Sequence, residues 1–491
     1  MLLYECFFLL KFVISKLPMR KSTVVQALLI LPLLTFHVFS QQEGSTAPME
    51  KTEQEALYLA IQSFVGKWWN GSELYPDPCG WTPIQGVSCD FLDGLWYITV
   101  LDIGPVLENS LECTQDAKFS PLLFKFKHLK SLCFFNCFSP HQPTTIPSSN
   151  WEKLAGSLET LVFRSNQGLI GEIPASLGQL TNLKSLVLVE NSLAGMLPRE
   201  LGSLVHLKRL VLTGNRFSGQ IPVSLAGNLS ELLILDLSRN NLSGPLPSSF
   251  GGLTSLLTLD LSNNTLEGSL PSGLGELRNL TLLDLRNNNF SGGLTHSLQS
   301  MTSIQDMLLS NNPLGGNLME FGWENLRNLT TLDLSNTGLT GVIPDSISSL
   351  KTLRSLALDN NHLSGSVSPK LATLPSLGAL YLSGNNLTGE LEFSEGFYKR
   401  MGGRFTSWNN PNLCYNSEVM STGHVPVGVE RCKHEQENSV YNSSTENIVS
   451  SGSSNQNSGL LASFGFSACI NGFWWVIVVQ ELVPLLLLIL L

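Results

Sequence analysis

The sequence predicts an α/β-type repeat solenoid: a right-handed, curved superhelix with a parallel β-sheet on its concave face and disulfide-bonded caps. Three observations predict it. The pattern L-x-x-L-x-L begins at Leu158, Leu183, Leu207, Leu232, Leu256, Leu280, Ile304, Leu329, Leu353 and Leu377, always 24 or 25 residues apart. An asparagine stands eight residues after most of these starts. Cysteine pairs bracket the array, Cys79 and Cys89 before it and Cys414 and Cys432 after it. A fixed period of this length marks coils that stack, because each coil alone would leave apolar faces above and below in water.

Residues 1–40 read as a signal peptide. Met19-Arg20-Lys21 is a basic start, so Met19 is an alternative initiator; Val24 to Val38 is largely apolar, and Val38-Phe39-Ser40 suits cleavage after Ser40. Residues 41–97 form an N-terminal cap in which Cys79 and Cys89 pair within PDPCGWTPIQGVSCD. Such a bond stabilises a secreted cap by about 3 kcal/mol. Trp68, Trp69 and Trp81 are expected to pack over the first coil. Residues 98–157 are degenerate repeats, one opening at Ile98 (ITVLDI) and one at Leu129. Cys113 has Cys137 as its first candidate partner and Cys133 as the next.

Residues 158–400 are regular coils. A short strand sends alternate side chains to opposite faces, so Leu256, Leu259 and Leu261 point inward while Thr258, Asp260 and Ser262 point out. The ladder asparagines are Asn166, Asn191, Asn215, Asn240, Asn264, Asn288, Asn312, Asn361 and Asn385. A buried amide must be satisfied, and the backbone of adjacent coils can do so. Thr337 replaces one asparagine and weakens that rung; Cys137 takes the slot in the Leu129 unit. Gly and Leu-Pro then turn the chain along the outer side.

Residues 401–432 form a C-terminal cap closed by Cys414–Cys432, and residues 433–459 are a Ser/Asn/Gly linker. Residues 460–491 are a hydrophobic tail. Small residues at Ser450 to Ser454 followed by FWWVIVVQELVPLLLLILL fit a glycolipid-anchor signal. A spanning helix is the other reading, long enough but interrupted by Gln480, Glu481 and Pro484. Either places the chain on the extracellular face of the plasma membrane. Sequons at Asn70, Asn228, Asn241, Asn263, Asn279, Asn289, Asn328, Asn386 and Asn442 agree with the secretory route.

The net charge of -10 and the lack of a Lys/Arg-rich run argue against nucleic acid. No G-x-S-x-G or kinase signature occurs, and the eight histidines are scattered without metal-ligand spacing. The expectation is no enzyme, no metal and no cofactor. Recurrent Asp236, Asp260, Asp284 and Asp333 are common fillers of a wet strand rather than catalytic pairs. What remains is a surface. The outward positions of the concave face include Val162, Arg164, Val187, Val189, Arg209 and Val211, then Arg286, then Asp359 and Tyr381. No sequon falls on them, so an extended peptide or a protein is the expected ligand of these residues.

The repeat form L-x-x-L-x-L-x-x-N-x-L-x-G-x-I/L-P-x-x-L-G-x-L resembles the plant extracellular leucine-rich repeat. With DPCGWTPIQGVSCD and SPLLFKFKHLKSLCFFNCF ahead of it, the chain resembles the Piriformospora indica-insensitive type of receptor-like protein, and more distantly Too Many Mouths, over roughly Lys51 to Cys432. The resemblance implies a kinase-less cell-surface receptor that binds a peptide or protein, acts with a partner leucine-rich repeat receptor kinase, and serves responses to other organisms such as a beneficial fungus. The alternative is a wall-associated inhibitor of microbial polygalacturonase, which would need no tail.

Overall fold

The computed structural model describes residues 48–105, 111–416 and 425–433 of the chain. The signal peptide, most of the linker, the tail and Asn442 lie outside the described residues.

Each L-x-x-L-x-L segment is a strand, and the strands make one fourteen-stranded sheet. Its first two strands, Val87–Leu92 and Leu95–Ile103, pair antiparallel. Every later neighbour is parallel, as in Leu235 beside Leu259 and Leu259 beside Leu283. The inward leucines of successive coils therefore stack into one core, and Leu256, Leu259 and Leu261 have no exposed surface. The outer side of most regular coils is a short 3-10 turn after the proline, such as Ser272–Glu276 following Pro271.

The asparagine ladder binds coil to coil. Asn264 Nδ2 donates to the carbonyls of Leu237 (3.0 Å) and Leu261 (3.0 Å), and its Oδ1 accepts from Leu242 N–H at 3.0 Å. At the Thr337 rung the hydroxyl lies 2.7 Å from the Leu334 carbonyl and 2.9 Å from Asn361 Oδ1. A hydroxyl has one proton where an amide has two, and Leu314 N–H turns instead to the Asn312 carbonyl at 2.8 Å. The array also runs one strand past residue 400. Phe405–Thr406 joins the sheet beside Tyr381, and Asn410 adds a rung, its Oδ1 accepting from Leu387 N–H at 3.0 Å.

Helix α1, Lys51–Val65, lays Leu57, Ile61 and Phe64 on the first coils. It opens where the Glu50 carboxylate accepts from Glu53 N–H at 2.7 Å and ends at Gly66, whose φ of 101° suits glycine. Glu53 is buried and accepts from Ile98 N–H (3.2 Å) and Lys127 N–H (2.9 Å), which ties the helix to two coils. Of the three tryptophans expected over the first coil, only Trp69 is buried, stacked on Tyr75 at 6.0 Å. Trp68 and Trp81 are 75% and 77% exposed, which corrects that expectation. The apolar face of α1 already covers the coil.

Disulfides join Cys79 to Cys89, Cys113 to Cys137 and Cys414 to Cys432, leaving Cys133 free among the described residues. On the flank beyond the ladder two further sheets form, of seven and five strands. They are interrupted at the 304–328 coil, where Pro313, Gly315 and Gly316 replace strand formers. There the flank is joined mainly by single bonds, Gly293 N–H to the Leu314 carbonyl and Gly315 N–H to the Thr337 carbonyl, both 2.8 Å.

Candidate functional site: the concave sheet face

The fourteen-stranded sheet turns three rows of side chains outward, because alternate residues of each strand face away from the core. In the middle row Val162, Val187, Val211, Asp236, Asp260 and Asp284 are successive neighbours in register. At ~4.8 Å per strand these six residues span about 24 Å.

The valine end is drier than an outward position implies. Val187 and Val211 are only 7% and 6% exposed. Each is flanked by row neighbours on both sides, so cross-strand packing covers them. They belong to the packing of the body as well as to its surface. Val162 and Val189 are half-buried, and Arg164 and Arg209 stand exposed beside them. Farther along, Asp359 and Tyr381 are half-buried on the same face, separated from the valines by the acidic coils.

The acidic coils are not equivalent. Asp284 is buried and holds the half-buried Arg286, which donates from Nε at 2.9 Å and from Nη2 at 2.6 Å. Asp333 accepts from Ser310 Oγ at 2.7 Å and from Ser335 N–H at 3.1 Å. Asp236 accepts from Ser238 N–H (2.9 Å) and Oγ (2.6 Å), and Asp260 from Ser262 N–H (2.9 Å). Among the described residues no cation lies within ion-pair distance of either. Burial raises the pKa of both. Asp260, which also feels Asp284 and Asp236, is pushed up to about 6. Cys133, half-buried on the same face, has its thiol pushed up to about 12 by burial and then by Asp102. No group of three His, Cys, Asp or Glu that could hold a metal occurs among the described residues.

All eight described sequon asparagines are exposed, and none is on an outward strand position. Asn241, Asn289 and Asn386 open flank strands. Asn279 and Asn328 precede the concave strand, where their Nδ2 atoms donate to the carbonyls of Thr254 (3.0 Å) and Thr302 (2.9 Å). An open hollow beside the ladder, lined by Glu267 and Asn289 among others, carries one of these sequons.

A second ladder escapes a reading of the leucine pattern. The residue just before the ladder position is left-handed in Asn263, Asn287, Asn311, Asn336 and Asn360, with φ from 52° to 56°. Asparagine tolerates that conformation. The Nδ2 of Asn287 donates to Asn263 Oδ1 at 2.9 Å, and Asn311 and Asn336 continue the series. The signal is present in the recurrent Asn-Asn pair.

Residues 175–422 match the family model for a leucine-rich repeat region. Over 153 residues the chain is 57% identical to Piriformospora indica-insensitive protein 2 of Arabidopsis thaliana, which covers 31% of this chain and 36% of that one. It is 36% identical over 178 residues to Receptor like protein 29 of the same plant, 36% and 37% of the two chains. The chain thus spans just over a third of the length of these relatives. Among solved structures it is similar to PEPR1 with AtPEP1, with a TM-score of 0.57 and 25% identity over 74% of this chain and 56% of that one. It is also similar to the ectodomain of the Arabidopsis thaliana receptor kinase GASSHO1/SCHENGEN3 with CASPARIAN STRIP INTEGRITY FACTOR 2 (TM-score 0.52, 30% identity, 73% and 47% of the two chains).

Proposed function

We propose, for a chain that belongs to the leucine-rich repeat family in its plant receptor-like form, that it recognises a peptide or protein on its concave face at the cell surface. The observation that carries this reading is the continuous outward face itself. Fourteen strands present apolar, basic and acidic side chains in fixed register, and every described sequon lies off that face. Rigid, pre-arranged side chains bind with little ordering cost, which suits recognition. The receptor ectodomains it resembles in fold are described in complex with AtPEP1 and with CASPARIAN STRIP INTEGRITY FACTOR 2, which supports the same use here.

On this reading a partner leucine-rich repeat receptor kinase carries the message inward, and the hydrophobic tail tethers the chain to the membrane. A role in responses to a beneficial fungus or other microbes follows the relative named for insensitivity to Piriformospora indica. The test is cross-linking of the tagged full chain in plant cells, followed by identification of what it captures. A single-span receptor kinase is expected, and Thr258→Trp, which places a bulky ring on the concave face, should abolish its capture. Unchanged capture by that variant would overturn the reading.

A further inference from the structure

We infer that the first sugar of a glycan on Asn70 seats in a hollow on helix α1 and completes the N-terminal cap. This goes beyond the concave reading and does not depend on it.

The sequon Asn70-Gly71-Ser72 is folded onto the helix rather than held out from it. Trp69, just before it, is buried with its ring 6.3 Å from that of Tyr58. Gly71 is buried too, and a Cβ there would lie 2.4 Å from the Trp69 ring and 2.5 Å from Tyr58, so a side chain would displace both rings. Two hydrogen bonds tie the helix to this turn. Gln62 Nε2 donates to the Trp69 carbonyl at 3.0 Å, and the Tyr58 hydroxyl donates to the Tyr75 carbonyl at 2.5 Å. Asn70 and Ser72 stay exposed.

Between turn and helix lies a hollow of about 340 Å³. Glu55, Tyr58, Leu59 and Gln62, spaced to share one helix face, form one wall, and residues 69–72 form the other. Asn70 is part of that wall, so a sugar attached to it starts inside the hollow. The lining suits N-acetylglucosamine. Leu59, 54% exposed, meets the C–H face of the ring or the acetamido methyl, and the exposed Glu55 carboxylate accepts from hydroxyls.

The attachment atom is also available. In Asn228, Asn279 and Asn328 the Nδ2 donates to the carbonyls of Gly202, Thr254 and Thr302. Asn70 Nδ2 donates to no group among the described residues, while its Oδ1 accepts from Ser72 Oγ at 2.9 Å. In glycosylation that nitrogen displaces a lipid diphosphate from C1 of the sugar. The N–C1 bond forms, the C1–O bond to the diphosphate breaks, the lipid diphosphate leaves as an anion and one amide proton passes to a base. Asn289 makes the contrast. Its Nδ2 is likewise unpaired among the described residues, but the hollow beside it is walled by amides, hydroxyls and Glu267, with no leucine or aromatic ring. A sugar there has no apolar seat.

The test uses the secreted full chain with its glycans trimmed to the single N-acetylglucosamine that endoglycosidase leaves. Peptide mapping should find Asn70 occupied. Amide exchange over residues 54–62 should be at least about threefold slower than in Asn70→Gln. Leu59→Ser should bring the occupied protein to the rate of Asn70→Gln, and should change Asn70→Gln itself by less than about twofold, because seat and sugar act together. Asn289→Gln should leave this segment unchanged. If Asn70→Gln is not secreted, the comparison is made by releasing the glycan enzymatically from the folded natural chain. An Asn70 without sugar would overturn the inference. So would equal exchange with and without the sugar, or a Leu59→Ser effect that adds in full to that of Asn70→Gln.

Discussion

Replacing Asn264 by alanine should expose how the coils are held together. Asn264 Oδ1 is the acceptor for Leu242 N–H, and Leu242 is fully buried. Its loss orphans that N–H at a cost of ~1–3 kcal/mol. The carbonyls it serves fare better, because the neighbouring rungs double them. Leu237 keeps Asn240 Nδ2 at 3.1 Å and Leu261 keeps Asn288 Nδ2 at 2.9 Å. Those two losses add ~0.5 kcal/mol each, so the total is ~2–4 kcal/mol. In a solenoid this falls on one interface rather than on the whole body. The assay is amide hydrogen exchange on the secreted protein. Leu242 should lose protection by a factor of ~30 or more, while Leu266, whose N–H is held by Asn288 at 3.0 Å, keeps its own. Equal protection at the two amides, or a uniform fall along the chain, would refute the idea that each rung acts locally.

Two more outcomes follow from the same coordinates. Asp260, pushed up to about 6 by burial and by Asp284 and Asp236, holds its proton more tightly folded than unfolded. Below the ordinary carboxylate pKa both states are protonated and the group contributes nothing; above about 6 its charge destabilises the fold by ~1–3 kcal/mol. Asp260→Asn should therefore stabilise the protein at pH 7 and lose that advantage by about pH 3, read from denaturant midpoints; a constant difference would contradict the sign. The Cys113–Cys137 bond, 24 residues apart, should cost ~2–4 kcal/mol when both are replaced by alanine. Peptide mapping without reduction should link these two while Cys133 resists maleimide at neutral pH, and a Cys113–Cys133 link would be the contrary result.

The coil period and its inward leucines were legible because each depends on residues within one repeat. So were the ladder and the cap cysteines. What the pattern hides depends on the neighbouring coil. Val187 and Val211 look like free outward positions until Val162 and Asp236 are placed beside them. Trp68 and Trp81 look like cap core until α1 occupies that place. The last coil is disguised because Gly402 and Ser407 stand where leucines belong, although Phe405 and Asn410 keep its register. The difference between Asp284 and its two neighbours was readable as Arg286 against Ser262 and Ser238. Only the forked contact shows that it decides which carboxylates are answered.

The interruption of the flank sheets at residues 304–328 has a mechanical meaning. A beam carried on two rails is stiff against sideways load; where one rail thins, the load falls on the other. Here the concave sheet passes through unbroken, while the opposite rail is reduced to bonds such as those from Gly293 and Gly315. With fewer flank bonds there than in the coils on either side, that coil separates two lengths of the body. The first carries the valines and the unanswered acids, and the second carries Asp359 and Tyr381. A partner touching both lengths would feel a joint between them, able to change the angle at which the two surfaces are offered without breaking the sheet that joins them.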